Sequence, residues 1–287
     1  MNVRKAVILA AGYGTRLLPA TKAVPKEMLP LVDHPVIHYI VEEALAAGLD
    51  QIIMVTNASK TAIEGYFDRD FELESVLELA QKHTLLAAVK KPAEVSIAYV
   101  HQKERLGNGH AVTITRDLVG EEPFAVFFPD DVIFHDVPAI GQLIDVFDRF
   151  GHTVLAVQQV PREEVVQYGV IDPRPLGPRL HEVRGVVEKP PVAEAPSNLA
   201  TVGRFVVTSD IFDVLAETPP GRSGEIWLMD AFDRLIARQP VYAFEYEGLR
   251  FDTGRPLGLL QASIHVALQR EDLGQDLRAY LRSLNLG

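Results

Sequence analysis

The sequence predicts an α/β protein with a central mixed, mainly parallel sheet in a doubly wound arrangement. Short runs of consecutive apolar residues, typical of strands buried on both faces, alternate with segments of helical periodicity. This strand–helix–strand order recurs three times in the first half of the chain, which indicates parallel strands with helices on both faces. The second half has strands with shorter connections, which predicts an antiparallel or mixed extension of the same sheet.

In the first half, turn residues or helical segments follow each predicted strand. Pro35 opens the first helix, at a position where its missing N–H leaves no bond unmade, and Gly48 ends that helix. Ser59 is the expected N-cap of the second helix. Strands are predicted at 6–10, 51–56, 95–100 and 124–128, and helices from 35, from 60, at 71–86 and from 110.

The second half is expected to complete the same domain. Its predicted strands lie at 153–157, 169–171, 183–187 and 201–207, and its predicted helices at 226–237, 257–270 and 274–286. The proline-rich segment 190–196 is linker-like in composition, but it is too short to separate two domains. We therefore expect a single domain over residues 1–287.

The composition excludes several classes of function. The chain has 287 residues and a formal net charge of −11, so it lacks the positive charge that attracts nucleic acid. It contains no cysteine, which excludes disulfides, thiolate metal sites and a cysteine nucleophile. No apolar stretch approaches the roughly 18 residues of a membrane span, and the apolar run at 6–10 fits a buried strand better than a secretion signal. We expect a cytoplasmic protein with no nucleic-acid or membrane partner.

A long loop at 11–30 follows the first strand and carries the first functional signal. Gly12 and Gly14 let backbone N–H groups approach a phosphate closely. Arg16 and Lys26 can clamp a triphosphate, because both side chains stay cationic at pH 7. A loop of this length inside a compact domain is usually functional, so we expect it to bind an anionic ligand.

Two well-known phosphate-binding loops do not fit this segment. A dinucleotide-binding turn needs a third glycine where Leu17 stands, and a P-loop needs a Gly-Lys-Ser/Thr sequence that does not follow. Lys22, the remaining basic residue of the loop, is interpreted as an ordinary surface lysine.

The run from Gly12 to Pro30, GYGTRLLPATKAVPKEMLP, resembles the signature loop of sugar-phosphate nucleotidyltransferases. Together with residues 19–33, the segments 59–74 and 185–204 resemble the bacterial UTP–glucose-1-phosphate uridylyltransferases, in the same order along the chain. The resemblance implies a Rossmann-like three-layer α/β/α fold of the nucleotide-diphospho-sugar transferase type, a divalent metal, and nucleotidyl transfer with release of pyrophosphate. It divides the expected domain into a nucleotide-binding half at 1–135, a sugar-binding half at 136–270 and a C-terminal helix at 271–287.

The resemblance also implies which residues bind the nucleotide and the phosphates. Gln102, whose amide both donates and accepts hydrogen bonds, and the glycine turn at Gly107 hold the base. Arg16 and Lys26 stabilise the leaving pyrophosphate, and Lys189 orients the attacking sugar phosphate. The full set of expected substrate-binding residues is Ala10, Ala11, Gly12, Gly14, Thr15, Glu27, Gln102, Gly107, Gly169, Glu188 and Thr201.

Two aspartates are the expected metal ligands. Asp130 follows a buried strand and therefore lies at the carboxyl edge of the sheet, where open α/β sheets bind ligands. Hard oxygen ligands there suit Mg²⁺, and the resemblance assigns the metal to Asp130 and Asp252, with Asp131 as an alternative ligand or a turn residue. His34 and His38 have helical spacing but lack a third ligand, so zinc is not expected there.

The sugar side is expected around Glu188 and Lys189, which follow a predicted strand. The carboxylate can accept hydrogen bonds from sugar hydroxyls, and the ammonium can bind the sugar phosphate. Gly169 would let the backbone approach the glucose ring. Trp227 and Met229 depart from the family pattern, where glutamine and threonine are more usual, which affects either the sugar pocket or a nearby subunit contact.

The expected reaction forms UDP-glucose and pyrophosphate from UTP and glucose 1-phosphate, with Mg²⁺ as the cofactor. A homodimer or homotetramer is the assembly that the resemblance implies. Spacing along the sequence does not distinguish UTP from dTTP, or glucose from another hexose. A non-catalytic sensor of nucleotide sugars is the alternative from another class, and the charged residues Arg16, Lys26, Asp130 and Lys189 argue against it.

Overall fold

One nine-stranded sheet runs through the computed structural model, which describes residues 2–221 and 224–284. The strands of this described part are β1 (Lys5–Leu9), β2 (Pro30–Leu31), β3 (His34–Pro35), β4 (Gln51–Thr56), β5 (Ile97–His101), β6 (Phe124–Phe127), β7 (Asp131–Phe134), β8 (Val154–Gln159), β9 (Gly169–Gly177), β10 (Leu180–Glu188), β11 (Leu199–Val207), β12 (Tyr242–Glu245) and β13 (Leu249–Asp252). Its helices are α1 (Val36–Ala46), α2 (Thr61–Tyr66), α3 (Phe71–Leu79), α4 (His83–Lys90), α5 (Gly107–Thr113), α6 (Arg116–Val119), α7 (Ala139–Phe150), α8 (Ile211–Glu217), α9 (Leu228–Ile236), α10 (Pro256–Gln269) and α11 (Gly274–Ser283).

The sheet is mixed but mainly parallel, as predicted. Its strand order is β5-β4-β1-β6-β11-β8-β12-β10-β9, and the first four strands of that order are parallel to one another. Antiparallel pairs join β6 to β11, β11 to β8, β12 to β10 and β10 to β9. Seven of the nine strands therefore point the same way, and β10 and β11 run in the opposite direction. Strands from both predicted halves share this one sheet.

Helices cover both faces of the sheet and give the three predicted layers. Successive residues of β1 point to opposite faces, so Ala6 and Ile8 join one apolar core and Val7 joins the other. Helices α1 and α7 pack into the first core, and α5, α8 and α9 into the second. The carboxyl ends of β1 and β6 lie side by side at one edge, which is where the predicted phosphate loop and Asp130 begin.

Three helix predictions of the first half are wrong in detail. The helix expected at 71–86 is two helices, α3 and α4, because Gln81 adopts a left-handed backbone conformation with a φ of 55°. Ser59 does not cap α2, which begins at Thr61; its hydroxyl donates to the side chain of Asn57 instead. The helix expected from His110 already begins at Gly107.

Several elements were not predicted, among them β2, β3, β7, α7, α8, β12 and β13. The short strand β12 has the most unusual position, because it enters the sheet between β8 and β10. The terminal helix predicted at 274–286 is α11, and residues 285 and 286 lie outside the described residues. Among residues 2–221 and 224–284, no helix combines the length and the apolar character needed to cross a membrane.

Candidate active site

A buried lysine holds both ends of the phosphate loop. Lys60 Nζ donates to the Ala10 carbonyl oxygen at 2.6 Å and to Glu27 Oε2 at 2.7 Å. Burial lowers the pKa of Lys60, and the Glu27 carboxylate, itself only 1% exposed, opposes that shift. Because Ala10 begins the loop and Glu27 lies near its end, one ammonium group fixes the loop at two points.

Within the loop, Gly14 lets Lys26 lie against the backbone. Gly14 has a φ of +66°, and a Cβ there would lie 2.9 Å from the Lys26 Cβ. Thr21 Oγ1 donates to the Gly14 carbonyl oxygen at 2.8 Å, and Asn57 Nδ2 donates to that of Ala11 at 3.0 Å. The loop is therefore fixed by side chains.

A cavity of about 330 Å³ opens between this loop and the start of α5. Gln102 Nε2 donates to the Gly107 carbonyl oxygen at 3.0 Å, so the predicted base-binding residues form one unit. Gly107 has a φ of +96°, and the Ile226 backbone packs directly against it. Of the predicted site residues, this cavity is lined by Ala11, Gly12, Lys26, Gln102, Gly107 and Asp130.

Gly107→Ala is expected to destabilise the protein more than Gly120→Ala. A Cβ at Gly107 would lie 2.5 Å from the Ile226 carbonyl oxygen, whereas one at Gly120 would meet nothing within 4 Å. Both glycines have positive φ, so both variants carry a backbone penalty. They differ in the steric clash at Gly107, and overpacking of this kind lowers stability by about 1–3 kcal/mol. Urea unfolding measures the difference, and equal losses in the two variants would contradict this account.

Asp130 and Asp252 converge on one point beside the loop. A Cβ at Gly254 would lie 2.7 Å from Asp130 Oδ2 and 3.0 Å from Asp252 Oδ1. The two guanidinium NH groups of Arg16 lie 3.6 Å from Asp252 Oδ2 and 3.9 Å from Asp130 Oδ2. Lys26 Nζ donates to Asp130 Oδ2 at 2.7 Å. The predicted metal ligands and the predicted phosphate-binding cations therefore form one cluster.

The charges of this cluster stabilise one another. Burial alone would raise the pKa of Asp130, but the Lys26 ammonium outweighs it and lowers that pKa to about 2. Burial would likewise lower the pKa of Lys26, and the Asp130 carboxylate reverses this, so the pKa is raised. For Asp252, burial and the negative charges of Asp131 and Asp130 raise the pKa. An added cation beside Asp252 would relieve this repulsion.

The donor set of the cluster fits Mg²⁺. Magnesium is usually held by one or two carboxylates together with substrate phosphates, and Asp130 and Asp252 supply such a pair. Over the described ranges, no group of three histidine, cysteine, aspartate or glutamate side chains could hold a metal without a substrate. The alternative ligand Asp131 is already engaged, because it accepts from Arg250 Nε at 2.6 Å and from the Gly203 N–H at 2.9 Å.

A second cavity, of about 450 Å³, is also lined by Asp130. Part of its wall leaves no room for a side chain at Gly169, where a Cβ would lie 2.8 Å from both Met229 Sδ and Thr201 Oγ1. Thr201 Oγ1 also donates to the Gly169 carbonyl oxygen at 3.2 Å. The predicted site residues that line this cavity are Arg16, Asp130, Gly169, Glu188, Lys189, Thr201 and Asp252.

The predicted sugar-side pair lies in this second cavity. Lys189 Nζ is 3.1 Å from Glu188 Oε1, and burial raises the pKa of the Glu188 carboxyl group. The two cavities meet, since both are lined by Asn108, Phe128, Asp130 and Trp227. Two ligands, one in each cavity, would therefore face each other across Asp130.

Four predicted substrate-binding residues line neither cavity. Ala10 and Glu27 are buried and accept hydrogen bonds from Lys60, and Gly14 supplies the positive φ that the loop needs. Thr15 is exposed at the start of a single 3₁₀ turn. The structure thus gives Ala10, Glu27 and Gly14 a supporting position, and contact of all four residues with a substrate stays a prediction.

Sequence reasoning missed four residues of the site. Arg250 neutralises Asp131, and Arg255 Nε lies 3.1 Å from Asp252 Oδ2. Asn108 Oδ1 accepts the Leu228 N–H at 2.8 Å and so joins the glycine turn to α9. Lys60, the fourth, lies inside the segment 59–74 that resembles the family, which was a usable signal.

Behind the site, a buried arginine ties α1 to the sheet edge. Arg204 is 0% exposed, and its guanidinium donates to both carboxylate oxygens of Glu43. It also donates to the backbone carbonyl oxygens of Phe128, Gly203 and Asp131. This one side chain therefore holds the chain on both sides of Asp130.

Comparison with known proteins places this geometry in a family. Residues 5–269 match the family model described as "Nucleotidyl transferase". A curated UTP–glucose-1-phosphate uridylyltransferase of Staphylococcus epidermidis is 48% identical over 286 residues, which cover 99% of each chain. UTP–glucose-1-phosphate uridylyltransferase 2 of Staphylococcus saprophyticus is also 48% identical over 99% of each chain.

Solved structures agree with the sequence match. The UTP-bound UGPase from Acinetobacter baumannii has a TM-score of 0.92 and 40% identity, over 99% of this chain and 100% of that one. A UDP-glucose pyrophosphorylase complexed with UDP-glucose has a TM-score of 0.86 and 39% identity, over 94% of this chain and 100% of that one. The chain therefore belongs to the nucleotidyl transferase family.

Proposed function

We propose that this protein joins UTP to glucose 1-phosphate and forms UDP-glucose and pyrophosphate. The observation that carries the proposal is the meeting of two cavities at Asp130, with cations on both sides of the carboxylates. The full-length similarity to uridylyltransferases, and to structures with UTP or UDP-glucose bound, supports this choice of substrates.

The reaction needs no covalent enzyme intermediate. A phosphate oxygen of glucose 1-phosphate attacks the α-phosphorus of UTP, and the bond from that phosphorus to the bridging oxygen of pyrophosphate breaks. Because the second pKa of a phosphate monoester is about 6, the attacking group is largely dianionic near pH 7 and needs no general base. The difficulty is the approach of two polyanions, so positioning and charge neutralisation carry the catalysis.

The cations around the carboxylates divide this task. Lys26 lines the smaller cavity and Arg16 lines the larger one, and from the shared loop both approach Asp130 and stabilise the charge that develops on pyrophosphate. The raised pKa of Lys26 keeps its ammonium charged throughout the neutral range. Lys189 lies in the larger cavity and orients the attacking phosphate. Gln102 and Gly107, which line the smaller cavity, hold the base.

Asp130 and Asp252 would hold Mg²⁺, which would neutralise phosphate oxygens of both substrates. Lys26 contacts Asp130, and Arg16 lies near both carboxylates, so a metal held by Asp130 and Asp252 would leave these two cations available to the phosphates. Removal of divalent metal with EDTA is expected to abolish turnover, and added Mg²⁺ to restore it.

Pyrophosphate release tests the proposal directly. The rate of release is measured for purified protein with Mg²⁺ and glucose 1-phosphate, and it is compared between UTP, dTTP, ATP, CTP and GTP as the nucleotide. A strong preference for UTP supports the proposal, whereas a preference for dTTP keeps the chemistry and changes the substrate. Nucleotide binding without any release would instead favour a non-catalytic sensor.

Lys189→Met is expected to lower kcat/KM for glucose 1-phosphate by about 10- to 100-fold, since a hydrogen bond to a charged group contributes about 1.5–3 kcal/mol. The KM for UTP should change by less than about twofold, because Lys189 lines only the larger cavity. Lys82→Met, at an exposed position outside both cavities, is the matched control. An equal effect on both substrates would count against the assigned role.

Three further features remain proposals that rest on the sequence and its resemblance. They are the division into nucleotide-binding and sugar-binding halves, a homodimer or homotetramer, and a cytoplasmic location. Light scattering of the purified protein measures the assembly, and a monomer at working concentration would contradict that part.

A further inference from the structure

The chain's single tryptophan lies where the two cavities meet. The backbone on both sides of Trp227 is fixed to the glycine turn that starts α5. The Ile226 N–H donates to the Leu106 carbonyl oxygen at 2.7 Å, and the Gly109 N–H donates to the Ile226 carbonyl oxygen at 2.9 Å. The Leu228 N–H donates to Asn108 at 2.8 Å. The indole is therefore attached to a rigid part of the site.

Lys189 approaches this indole from the opposite wall. Its ammonium lies 4.5 Å from the centroid of the Trp227 ring and 3.1 Å from Glu188 Oε1. Its backbone has a φ of 47°, an uncommon conformation for lysine, and its N–H donates to the Tyr168 carbonyl oxygen at 2.9 Å. The backbone of Lys189 is thus fixed, and its side chain, which is 48% exposed, is restrained at the ammonium group by Glu188 and by Trp227.

We propose that Trp227 is a positioning residue, which holds the Lys189 ammonium at the place where the acceptor phosphate arrives. An aromatic face attracts a cation without neutralising it, and a phosphate binds the same cation more strongly. Trp227 therefore preorients Lys189 and releases it to the acceptor. The inference rests on the proposed function for the identity of that acceptor, a sugar 1-phosphate.

Substitutions at Trp227 separate this role from simple packing. Trp227→Leu is expected to raise the KM for glucose 1-phosphate about fivefold, the size of a partly exposed cation–π contact. Trp227→Phe keeps an aromatic face and should stay within about twofold of the parent. Neither variant should change the KM for UTP by more than about twofold, because the effect passes through Lys189. A larger effect on UTP would overturn the inference in favour of direct contact with the nucleotide.

A double-mutant cycle tests whether Trp227 acts through Lys189. On a Lys189→Met background, Trp227→Leu should add no further loss for glucose 1-phosphate, because the group that it positions is absent. Additive losses in the double variant would show that Trp227 acts independently and would overturn the inference.

The fluorescence of Trp227 gives a readout that does not depend on turnover. Since the chain has one tryptophan, its selectively excited emission reports on the surroundings of Trp227, which include this contact. Lys189→Met, without any ligand, should change the emission maximum or intensity, and Lys82→Met should not. Unchanged emission in Lys189→Met would refute the contact, even if Trp227→Leu failed to fold. Absence of turnover in the parent protein would refute the proposed function instead.

Discussion

Asp130→Asn is expected to lower kcat for UDP-glucose formation by about a thousandfold or more. Metal charge stabilisation contributes several kcal/mol to such reactions, and this change removes one of the two carboxylates that converge beside Arg16. Asparagine has nearly the same shape, and its amide oxygen can still accept from Lys26, so the fold should be kept, with some loss of stability because the Lys26 ammonium loses its counter-charge. Pyrophosphate release at saturating substrates, over a series of Mg²⁺ concentrations, measures the effect.

The matched control for this variant is Asp136→Asn, a few residues along the chain at an exposed position outside both cavities. It should retain full activity, which separates loss of the metal ligand from loss of one negative charge. If Asp130→Asn kept turnover within about tenfold of the parent, with the same Mg²⁺ dependence, Asp130 could not be a metal ligand.

Arg204→Met is expected to reduce the free energy of unfolding by about 3–5 kcal/mol, the usual effect of breaking a buried ion pair. Methionine fills much of the same space but cannot donate, so the Glu43 carboxylate and the carbonyl oxygens of Phe128, Gly203 and Asp131 all lose a partner. Urea or thermal unfolding measures the loss. Activity should also fall, because Arg204 holds the backbone on both sides of Asp130.

Two comparisons test the physical reason for that loss. The exposed pair between Arg4 and Asp50 has similar geometry, yet Arg4→Met should change stability little because water already solvates both charges. In the double variant Arg204→Met/Glu43→Leu, part of the lost stability should return, because no buried charge is left unpaired. A double variant that is less stable than Arg204→Met would argue against an unpaired Glu43 as the cause.

The parts of the site that were predictable have local signals. Gly12, Gly14, Arg16 and Lys26 belong to one continuous loop, so their spacing along the chain already indicates a shared ligand. Lys60 could not be assigned in this way, because its partner Glu27 is 33 residues away and only the fold brings them together. Arg250 and Asp131 are 119 residues apart, so their ion pair likewise depends on the fold.

The fold was predictable where strands are long and apolar, and less so where they are short. A run such as 51–56 can be recognised as a strand from its consecutive apolar residues, which the structure buries. The four-residue strand β12 does not, since it is too short for periodicity to distinguish it from a loop. The break between α3 and α4 has no glycine or proline to mark it, because Gln81 supplies the left-handed residue.

The position of β12 also has a consequence during translation. Strands β8, β9, β10 and β11 all leave the ribosome before β12, yet β12 must enter the sheet between β8 and β10. A free chain truncated between residues 208 and 241 therefore lacks the strand that fills this gap and leaves one edge of β8 and one edge of β10 unpaired, which favours association with other chains. We expect chains truncated in that range to aggregate more readily than chains that extend past residue 245.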